Sequence, residues 1–562
     1  MDHTKPRDGG RLLVDQLLRQ GVERVSCVPG ESYLPVIDAL RDSGIDTLVC
    51  RNEGGAALMA EAYGKLTGRP GICLVTRGPG ATNACHGLHV ATQDSTPMIL
   101  FVGQVETGFR GRDAFQELDY RASFGGIAKW VCEIDDTKRI PELVARAFRV
   151  AMQGRPGPVV IALPEDMLLS TAEVDDAARV MPAEPAPDPV AVQEFHALLA
   201  HAEAPLLIAG GSRWDAGSVA ALERFAQRWQ LPAVTSFRRA SLFSSTHPLY
   251  AGELGFGMNP RLRERVQRAD VLLLVGGRLS EVPSDGYTLL DLPTPRQALV
   301  HVHPDPQELG RVYQPRVALN ATPATWTAAA LRLDAPERPR WAHHAMSARE
   351  DFLAWTAKPP ANPGRFQYGE ALQWLRGRLP ADAIVCNGAG NYAIWLHRFF
   401  PFRAFGTQLA PTSGSMGYGV PAAIMAKRQH PERIVVALAG DGCFMMNGQE
   451  FATAVQHGIA IVVVVIDNGM YGTIRMHQER SYPGRPFATA LVNPDFAALA
   501  RAYGGHGECV ETADEFRAAF DRAIDSGRPA LLHCLMDPEA ITPTTTLSAL
   551  RQQAQTTAEG VR

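Results

Sequence analysis

The chain has 562 residues and a formal net charge of −4, with 46% hydrophobic and 20% charged residues. This length exceeds what one hydrophobic core usually supports, so we expect two to four domains. Because the charge is close to neutral and no long basic tract occurs, the composition gives no electrostatic support for a nucleic-acid partner.

The N-terminal stretch, the longest apolar run and the cysteines predict a cytoplasmic protein without a membrane span. The first residues, MDHTKPRDGGRLLVDQL, are polar and then helix-like, and they lack the apolar core of a signal peptide. The apolar run at 459–466 is too short to cross a bilayer and suits a buried strand. The nine cysteines include no CxxC pair and lie mostly in apolar segments, which predicts reduced, buried thiols.

Strand-like and helix-like segments alternate along the whole chain. RVSCVPG, TLVCRNEGG, GICLVTRGPG and MILFVGQ each end in a turn rich in Gly, Pro or Asn, and helical patterns separate several of them. The same alternation returns in APLLIAGGS and ADVLLLVGGR, and again in ADAIVCNGAG and IVVALAGDG. This rhythm predicts parallel sheets that are covered by helices on both faces.

Two polar, proline-rich stretches, 182–189 and 334–366, are predicted to be linkers. They divide the chain into three parts of similar size, at 1–181, 190–333 and 367–541. The predicted fold is therefore α/β, with three doubly wound parallel-sheet domains. The tail after Pro543 is polar, and we expect it to be loosely ordered.

The segment 440–473 predicts a site for a metal ion and a phosphate. The strand ERIVVALAGDG ends at Asp441, a helical pattern follows, and the next strand, IAIVVVVIDNGM, ends at Asn468. Ligands bind at the carboxyl ends of parallel strands, and one strand–helix–strand return would bring these two residues together. Carboxylate, amide and carbonyl oxygens form the incomplete cage in which Mg²⁺ is usually held, while Gly442 and the helix start leave N–H groups for a phosphate. The alternative is that both residues are turn formers and helix caps, but their matched positions favour the metal.

GDG followed by a stretch that ends in DN resembles the cofactor motif of thiamine-diphosphate enzymes. The resemblance implies that Asp441, Asn468 and the backbone carbonyl of Met470 hold Mg²⁺ on the diphosphate. Asp467 stands where many members have an Asn, at a position that is not usually a ligand. The resemblance also implies that this segment contributes four cofactor-binding residues: Gly442, Cys443, Met470 and Tyr471.

In the first predicted domain, VCRNEGGAALMAEAYGKLTGRPGICLVTRGPGATN is similar to the matching segment of acetohydroxyacid synthases. The resemblance implies that Glu53 protonates the aminopyrimidine ring of the cofactor, which creates the base that removes the thiazolium C2 proton. The alternative is that Glu53 only stabilises the start of a helix. The downstream run Gly78, Pro79 to Asn83 lies at the family's spacing, which favours the catalytic role and adds these three residues to the cofactor site.

The third predicted domain contains two further segments of the same resemblance. In TSGSMGYG, the resemblance implies that Met416 wedges between the two cofactor rings and that the Gly414 carbonyl accepts from the aminopyrimidine amine. In NGAGNYAIW, Gly390 and Asn391 are expected to lie against the diphosphate. A dinucleotide fingerprint beginning in NGAG is an alternative, but it requires an acid about 20 residues later, and 407–410 read TQLA.

The reaction is predicted from GQVETGFRGRDAFQELD, which resembles the GQV…DAFQE of acetohydroxyacid synthases. The resemblance adds Phe115, Gln116 and Lys129 to Glu53 as candidate catalytic residues. It implies a carboligase in which a 2-oxo acid loses CO₂ and the remaining fragment adds to a second carbonyl. A non-oxidative 2-oxo acid decarboxylase is one alternative, although the His-His pair of pyruvate decarboxylases is missing from the first domain. A non-catalytic nucleotide-binding protein on the same fold is the other.

Substrates and further partners are left open by the sequence. His477 stands where biosynthetic acetohydroxyacid synthases have a specificity Trp, so the acceptor is not predicted. The middle part resembles an FAD-binding domain in AGGS, GELGFGM, VGGR and HVHPDP, which makes FAD a possible cofactor and Arg278 its candidate contact. The resemblance further implies a homodimer or homotetramer with active sites at the subunit interface, and it does not decide whether a regulatory subunit binds.

Overall fold

The computed structural model describes residues 6–560. Within that range the chain forms two compact units. The first contains the described residues up to Ala183 together with Ile424–Gln429 and Gln449–His457. The second contains Glu184–Ala423, His430–Gly448 and the remainder from Gly458 onward.

The first unit is built on a six-stranded sheet in which every neighbouring pair is parallel, with the order β3-β2-β4-β5-β7-β6. A short antiparallel ladder joins β1 to β8. β5 and β7 are buried along their whole length, as near-continuous apolar runs in a sheet covered on both faces should be. The strands are β1 (Arg7–Asp8), β2 (Arg24–Cys27), β3 (Asp46–Val49), β4 (Gly71–Val75), β5 (Met98–Gln104), β6 (Trp130–Glu133), β7 (Pro158–Pro164) and β8 (Thr171–Ala172). The helices are α1 (Gly9–Arg19), α2 (Leu34–Arg41), α3 (Glu53–Thr67), α4 (Gly78–Asp94), α5 (Tyr120–Phe124), α6 (Ile140–Met152) and α7 (Glu165–Leu169).

The second unit contains two parallel sheets, and the middle sheet comes first in the chain. Its strand order is β11-β10-β9-β12-β13-β14. Its core is rich in large aromatic side chains, among them Phe225, Trp229 and Trp326. The strands are β9 (Leu206–Ala209), β10 (Ala233–Thr235), β11 (Tyr250–Glu253), β12 (Val271–Val275), β13 (Ala298–His303) and β14 (Val317–Asn320). The helices are α8 (Pro189–His201), α9 (Ala216–Trp229), α10 (Pro260–Arg268), α11 (Pro323–Ala330) and α12 (Ala342–Thr356).

The C-terminal sheet has the order β16-β15-β17-β18-β20-β19 and is also wholly parallel. The strands are β15 (Ile384–Asn387), β16 (Gln408–Leu409), β17 (Val435–Gly440), β18 (Val462–Asp467), β19 (His506–Val510) and β20 (Ala530–Leu535). The helices of this part of the chain are α13 (Tyr368–Arg378), α14 (Tyr392–Phe399), α15 (Gly419–Gln429), α16 (Asp441–Asn447), α17 (Phe451–Gln456), α18 (Gly472–Ser481), α19 (Phe496–Ala502), α20 (Ala513–Asp525) and α21 (Leu547–Gly560). Of these, α17 and the end of α15 belong to the first unit.

Three parallel sheets with flanking helices confirm the predicted α/β fold class. In each sheet the chain first adds strands on one side of its starting strand and then crosses to the other side, which creates a crevice outside the carboxyl ends of the two strands at the crossing point. In the middle sheet that point lies between β9 and β12, and in the C-terminal sheet it lies between β15 and β17. None of the helices within residues 6–560 combines the length and the apolar composition that a membrane crossing requires.

The predicted linker at 334–366 is wrong in part, because it contains the 15-residue helix α12. Ala345, Ala348 and Phe352 form its buried face, and Asp351 accepts an ion-pair hydrogen bond from Arg265 of α10. The prolines and charges at both ends of the stretch concealed this helical spacing.

The predicted loosely ordered tail is also wrong, because α21 packs against α18. Leu547 and Leu550 join Met476 and Ile541 in a small apolar cluster. The guanidinium of Arg551 donates to both carboxylate oxygens of Glu479, at 2.9 and 2.8 Å. Two apolar anchors, the Arg551 ion pair and two hydrogen bonds from Ser548 to Glu539 hold this helix, which is too little apolar periodicity to predict from sequence.

Candidate functional site

Glu53 lies at the first position of α3, directly after the turn that follows β3. The Asn52 side chain caps the helix by accepting from the Gly54 N–H at 2.8 Å. The Oε2 atom of Glu53 accepts from the Asn83 amide at 2.9 Å, and Asn83 lies on α4. The structure thus brings these two predicted residues together through two helices that begin at the same end of one parallel sheet.

The start of α4 holds the loop that contains Phe115 and Gln116. The Gly78 N–H donates to the Gln116 carbonyl at 3.1 Å, and Pro79 follows in the first turn. Arg77, which the sequence reasoning missed, donates to the Phe115 carbonyl at 3.1 Å. The Phe115 side chain is 72% exposed, so this loop presents an aromatic ring to the surroundings of the first unit.

Lys129 is not brought to this group. Its backbone N–H donates to the carbonyl of Pro158, the first residue of β7, and Lys129 immediately precedes β6. It therefore lies at the amino edge of the sheet, whereas Glu53 and Gly78 follow the carboxyl ends of β3 and β4. Its ammonium donates to the carbonyls of Gln153 and Arg155, at 2.7 and 2.8 Å, just beyond the end of α6. These contacts hold the end of the Lys129 side chain beside the carbonyls that follow α6.

In the second unit, β17 and β18 are parallel neighbours, with Gly440 opposite Ile466. Asp441 and Asn468 follow these strands directly, so their loops meet. The Met470 N–H donates to Asp441 Oδ2 at 3.1 Å. Asn493, which the sequence reasoning missed, donates to the carboxylates of both Asp441 and Asp467, each at 2.8 Å. It reaches them from a segment that runs back along the loop, where the Leu491 N–H donates to the Gly469 carbonyl.

The two carboxylates at this edge differ in electrostatic environment. Burial raises the pKa of Asp441 to about 6, and the neighbouring Asp467 adds to that rise. Burial also favours a higher pKa for Asp467, but hydrogen bonds from His533, Gly469 and Asn493 outweigh it and hold that pKa below its ordinary value. His533 Nε2 lies 2.9 Å from Asp467, so Asp467 is the carboxylate that the protein itself satisfies.

The oxygen atoms at this edge of the sheet are suited to be ligands of Mg²⁺. The Asp441 residue is 3% exposed, and within the described part of the chain no cationic side chain pairs with it. A buried carboxylate that has no cationic partner favours the binding of a cation beside it. The half-buried Asn468 and the Met470 carbonyl supply further oxygen ligands. Residues 6–560 contain no group of three or more His, Cys, Asp or Glu side chains placed to hold a metal. A cation here would therefore depend on amide and backbone oxygens as well as Asp441.

The start of α16 is closely packed against two neighbouring loops. A Cβ on Gly442 would lie 2.6 Å from the Tyr471 ring, so only a residue without a side chain fits there. The Cys443 thiol is buried and points inward, where its sulfur accepts from the Gly417 N–H at 3.3 Å. Only the backbone of Cys443 is therefore suited to the predicted contact with a diphosphate.

The remaining predicted residues of the C-terminal sheet lie in two loops. Asn391, next to Gly390, accepts from the Thr473 hydroxyl at 2.8 Å, which ties the start of α14 to α18. Gly414 has a left-handed backbone with φ of +69°, and no atom lies within 4 Å of the position a Cβ would take. Met416 is half-buried. Gly414 thus has open space beside it, as a cofactor contact requires.

The middle sheet does not offer FAD the crevice that dinucleotides use in such folds. Gly211 follows β9 and Gly276 follows β12, and a Cβ on Gly211 would lie 1.7 Å from the Gly276 carbonyl oxygen. The Trp214 indole lies on these turns and donates to the Gly210 carbonyl at 2.8 Å. Two backbones in contact under an indole occupy the place between β9 and β12 where a diphosphate would lie in such folds, which argues against FAD in this crevice. Arg278, two residues beyond Gly276, belongs to this middle sheet and not to the C-terminal group.

Comparisons with known proteins show the family of the chain. Three family descriptions of the thiamine pyrophosphate enzymes match the chain: the N-terminal TPP-binding domain at residues 7–123, the central domain at 192–331 and the C-terminal TPP-binding domain at 388–534. The acetolactate synthase isozyme 2 large subunit of Escherichia coli (strain K12) is 33% identical over 94% of this chain and 96% of its own length.

Other relatives also align over most of both chains. The acetolactate synthase large subunit of Lactococcus lactis subsp. lactis is 33% identical over 89% of this chain and 88% of its own length. A probable acetolactate synthase large subunit of Methanocaldococcus jannaschii is 31% identical over 95% and 93%, respectively. With three family domains in order and relatives that align along nearly its whole length, the chain belongs to the thiamine pyrophosphate enzyme family and is a thiamine-diphosphate-dependent enzyme.

Proposed function

We propose that this protein is a Mg²⁺-dependent carboligase that acts on a 2-oxo acid, in the manner that the name acetolactate synthase describes for its relatives. The observation that carries the choice of carboligation is the loop with Phe115 and Gln116, which is held against the start of α4 through Gly78. The same helix contributes Asn83, the partner of Glu53. Helix α4 therefore contacts both the segment that resembles carboligases and Glu53, the predicted acid.

The residues divide the work between binding and proton transfer. When bound, thiamine diphosphate supplies the electron sink that lets a 2-oxo acid lose CO₂ and join its carbon fragment to a second carbonyl. Glu53 would hold and deliver a proton at the aminopyrimidine ring, oriented by the Asn83 amide. Asp441, Asn468 and the Met470 carbonyl would hold Mg²⁺. The Gly414 carbonyl would accept a hydrogen bond from the cofactor.

The proposed domain functions follow the three family matches. Residues 1–181 would bind the pyrimidine end of the cofactor, and residues 367–541 would bind its diphosphate and Mg²⁺. Residues 190–333 form a nucleotide-type domain, for which the closed crevice beside Trp214 argues against FAD. We further propose a homodimer or homotetramer with shared active sites, in the cytoplasm. Relatives of this chain are named as large subunits, which raises the question of a regulatory subunit for this chain.

Product analysis tests the proposed reaction. The purified protein with Mg²⁺ and thiamine diphosphate would receive pyruvate alone and then pyruvate with a second 2-oxo acid or an aldehyde, with products identified by mass spectrometry. We expect a coupled 2-hydroxy-3-oxo acid or hydroxyketone together with CO₂. An aldehyde as the sole product from each 2-oxo acid would establish the decarboxylase instead.

A single substitution tests the role of Glu53. Glu53→Gln keeps the size of the side chain and should lower turnover by about 10²- to 10⁴-fold, the usual contribution of a positioned proton donor. Cofactor affinity, measured by calorimetry, should remain within a few-fold of the unsubstituted protein. Glu142→Gln is the matched control, because Glu142 is an exposed acid paired with Arg139. Full turnover in Glu53→Gln would remove Glu53 from the mechanism.

A further inference from the structure

Glu450 is a fully buried carboxylate in the first unit, with 0% exposure. Its Oε1 atom accepts from the backbone N–H groups of Arg51 and Asn52, at 3.1 and 2.9 Å. Its Oε2 atom lies 3.2 Å from the same Arg51 nitrogen and accepts from the Thr453 hydroxyl at 2.6 Å. All of these donors are neutral, so the carboxylate is held by dipoles.

The two backbone donors belong to the turn that immediately precedes Glu53. Arg51 and Asn52 connect β3 to α3, and Asn52 also caps α3 through its side chain. The first turn of α3 is packed against the same carboxylate, because a Cβ added to Gly55 would lie 2.5 Å from Glu450 Oε1. The backbone on both sides of Glu53 is therefore packed against one carboxylate.

Burial of an acid in a core position is unfavourable in free energy. Transfer of a carboxylate from water is unfavourable unless hydrogen bonds compensate, and burial raises the pKa of Glu450 despite the bonds it accepts. A glutamine of the same shape would avoid this cost, but with its oxygen toward Arg51 and Asn52 its NH₂ group would take the place of Oε2, 3.2 Å from the Arg51 N–H donor. Only a carboxylate offers two acceptor atoms, so the acid is suited to fixing this turn and not merely to filling space.

We propose that Glu450 is a positioning residue for Glu53. It fixes the turn at Arg51 and Asn52, and thereby directs the Glu53 carboxylate toward Asn83. This inference rests on the proposed function of Glu53. Glu450 also follows Asp441 by only nine positions, so one short stretch of sequence supplies both a predicted metal ligand and the support of the predicted acid.

Hydrogen–deuterium exchange of the cofactor-free protein tests the structural part without reference to activity. In the unsubstituted protein, the Arg51 and Asn52 amides should exchange slowly, although the Arg51 residue itself is exposed. In Glu450→Gln their exchange should rise by about 10- to 100-fold, because both amides exchange a charged acceptor for a weaker, neutral one. Fast exchange of both amides in the unsubstituted protein would overturn the proposal even if Glu450→Gln failed to fold.

Glu61→Gln provides the matched control. Glu61 is also 0% exposed and lies in the first unit, where it is bound by Lys65 and by the Thr96 hydroxyl, away from the turn. Glu450→Gln should lower kcat about 10- to 100-fold, leave KM for the 2-oxo acid within a few-fold and shift the acidic limb of the pH–rate profile. Glu61→Gln should change none of these, and it should leave the exchange of Arg51 and Asn52 unchanged.

The outcomes separate this inference from the proposed function. If the protein fails to couple two carbonyls but forms an aldehyde, the exchange data and the pH profile of that reaction still test Glu450. Exchange that rises in Glu450→Gln while kcat and the pH profile stay unchanged would show a purely structural carboxylate and overturn the proposal. Equal effects of Glu450→Gln and Glu61→Gln on the pH profile would also overturn it.

Discussion

In the middle and C-terminal sheets the chain crosses beside the first strand in the same way, but residues of different chemical type follow the strands. In both, the first strand lies inside the sheet and the chain crosses from one side of it to the other. The middle sheet ends β9 and β12 in two Gly-Gly turns whose backbones touch, with the Trp214 indole lying on them. In the C-terminal sheet, where the crevice lies between β15 and β17, Gly388 follows β15 and Asp441 follows β17, while Asn468 follows the neighbouring β18. Topology therefore locates a crevice, and the residues that follow the strands decide whether a ligand can use it.

Gly211 and Gly414 provide the sharpest test of this contrast, because both have a φ of +69°. An alanine at either position would bear the left-handed backbone cost of roughly 1–2 kcal/mol. At Gly211 the Cβ would also meet the Gly276 carbonyl oxygen at 1.7 Å, which adds overpacking of about 1–3 kcal/mol. Chemical denaturation should show a much larger stability loss for Gly211→Ala than for Gly414→Ala. Equal losses would mean that the middle crevice is not closed.

Removal of the Asp441 carboxylate should take from the C-terminal sheet the ligand binding that distinguishes it from the middle sheet. Substitution of residues that merely support metal ligands costs about 10- to 100-fold in affinity, so Asp441→Ala should lose at least about 100-fold in Mg²⁺-dependent cofactor affinity. Calorimetry with and without Mg²⁺ measures this loss. Asp521→Ala, which removes an exposed acid paired with Arg378, should bind as before. Unchanged affinity in Asp441→Ala would place the metal elsewhere.

The same carboxylate should give the cofactor-free protein a pH-dependent stability. Because burial raises the pKa of Asp441 to about 6, the folded state holds this proton more tightly than the unfolded chain does. The resulting stabilisation is complete below the ordinary pKa of 3.8 and is lost as pH rises through about 6. Asp441→Asn lacks that titration, so without Mg²⁺ its stability relative to the unsubstituted protein should increase from pH 4 to pH 7. A constant difference across this range would contradict the assignment.

The smallest expected effect lies in the middle sheet. Trp214→Phe removes the indole hydrogen bond to Gly210 and should cost about 1 kcal/mol of stability, with no change in Mg²⁺-dependent cofactor binding. Absorption spectra of the purified protein and of this variant should show no flavin band. Retained flavin in the unsubstituted protein would break the comparison, since it would mean that the middle sheet binds a dinucleotide outside the closed crevice.

The strand ends were predictable because they depend on local pattern. A strand, a helix and a second strand of the right length must return to the same edge, so the meeting of the loops after β17 and β18 follows from sequence spacing. Asn493 and Glu450 were not predictable in this way, since they contact residues 52 and 399 positions away. Helix α12 was not predicted because the proline-rich ends of its segment concealed its buried face. Helix α21 was not predicted because its sequence is polar and two leucines anchor it.

The composition of the first unit bears on attempts to cut the protein into pieces. A gene fragment that ended near residue 181 would include β3, the outermost strand of its sheet, but not the residues that satisfy it. Arg428 donates to both carboxylate oxygens of Asp46, and His457 accepts from the Val49 N–H at 3.2 Å. Without these partners and Glu450, the fragment would expose unpaired donors along a bare strand, and such strands recruit copies of themselves. We therefore expect the fragment to aggregate when expressed alone, so this family domain is not an independent module of the chain.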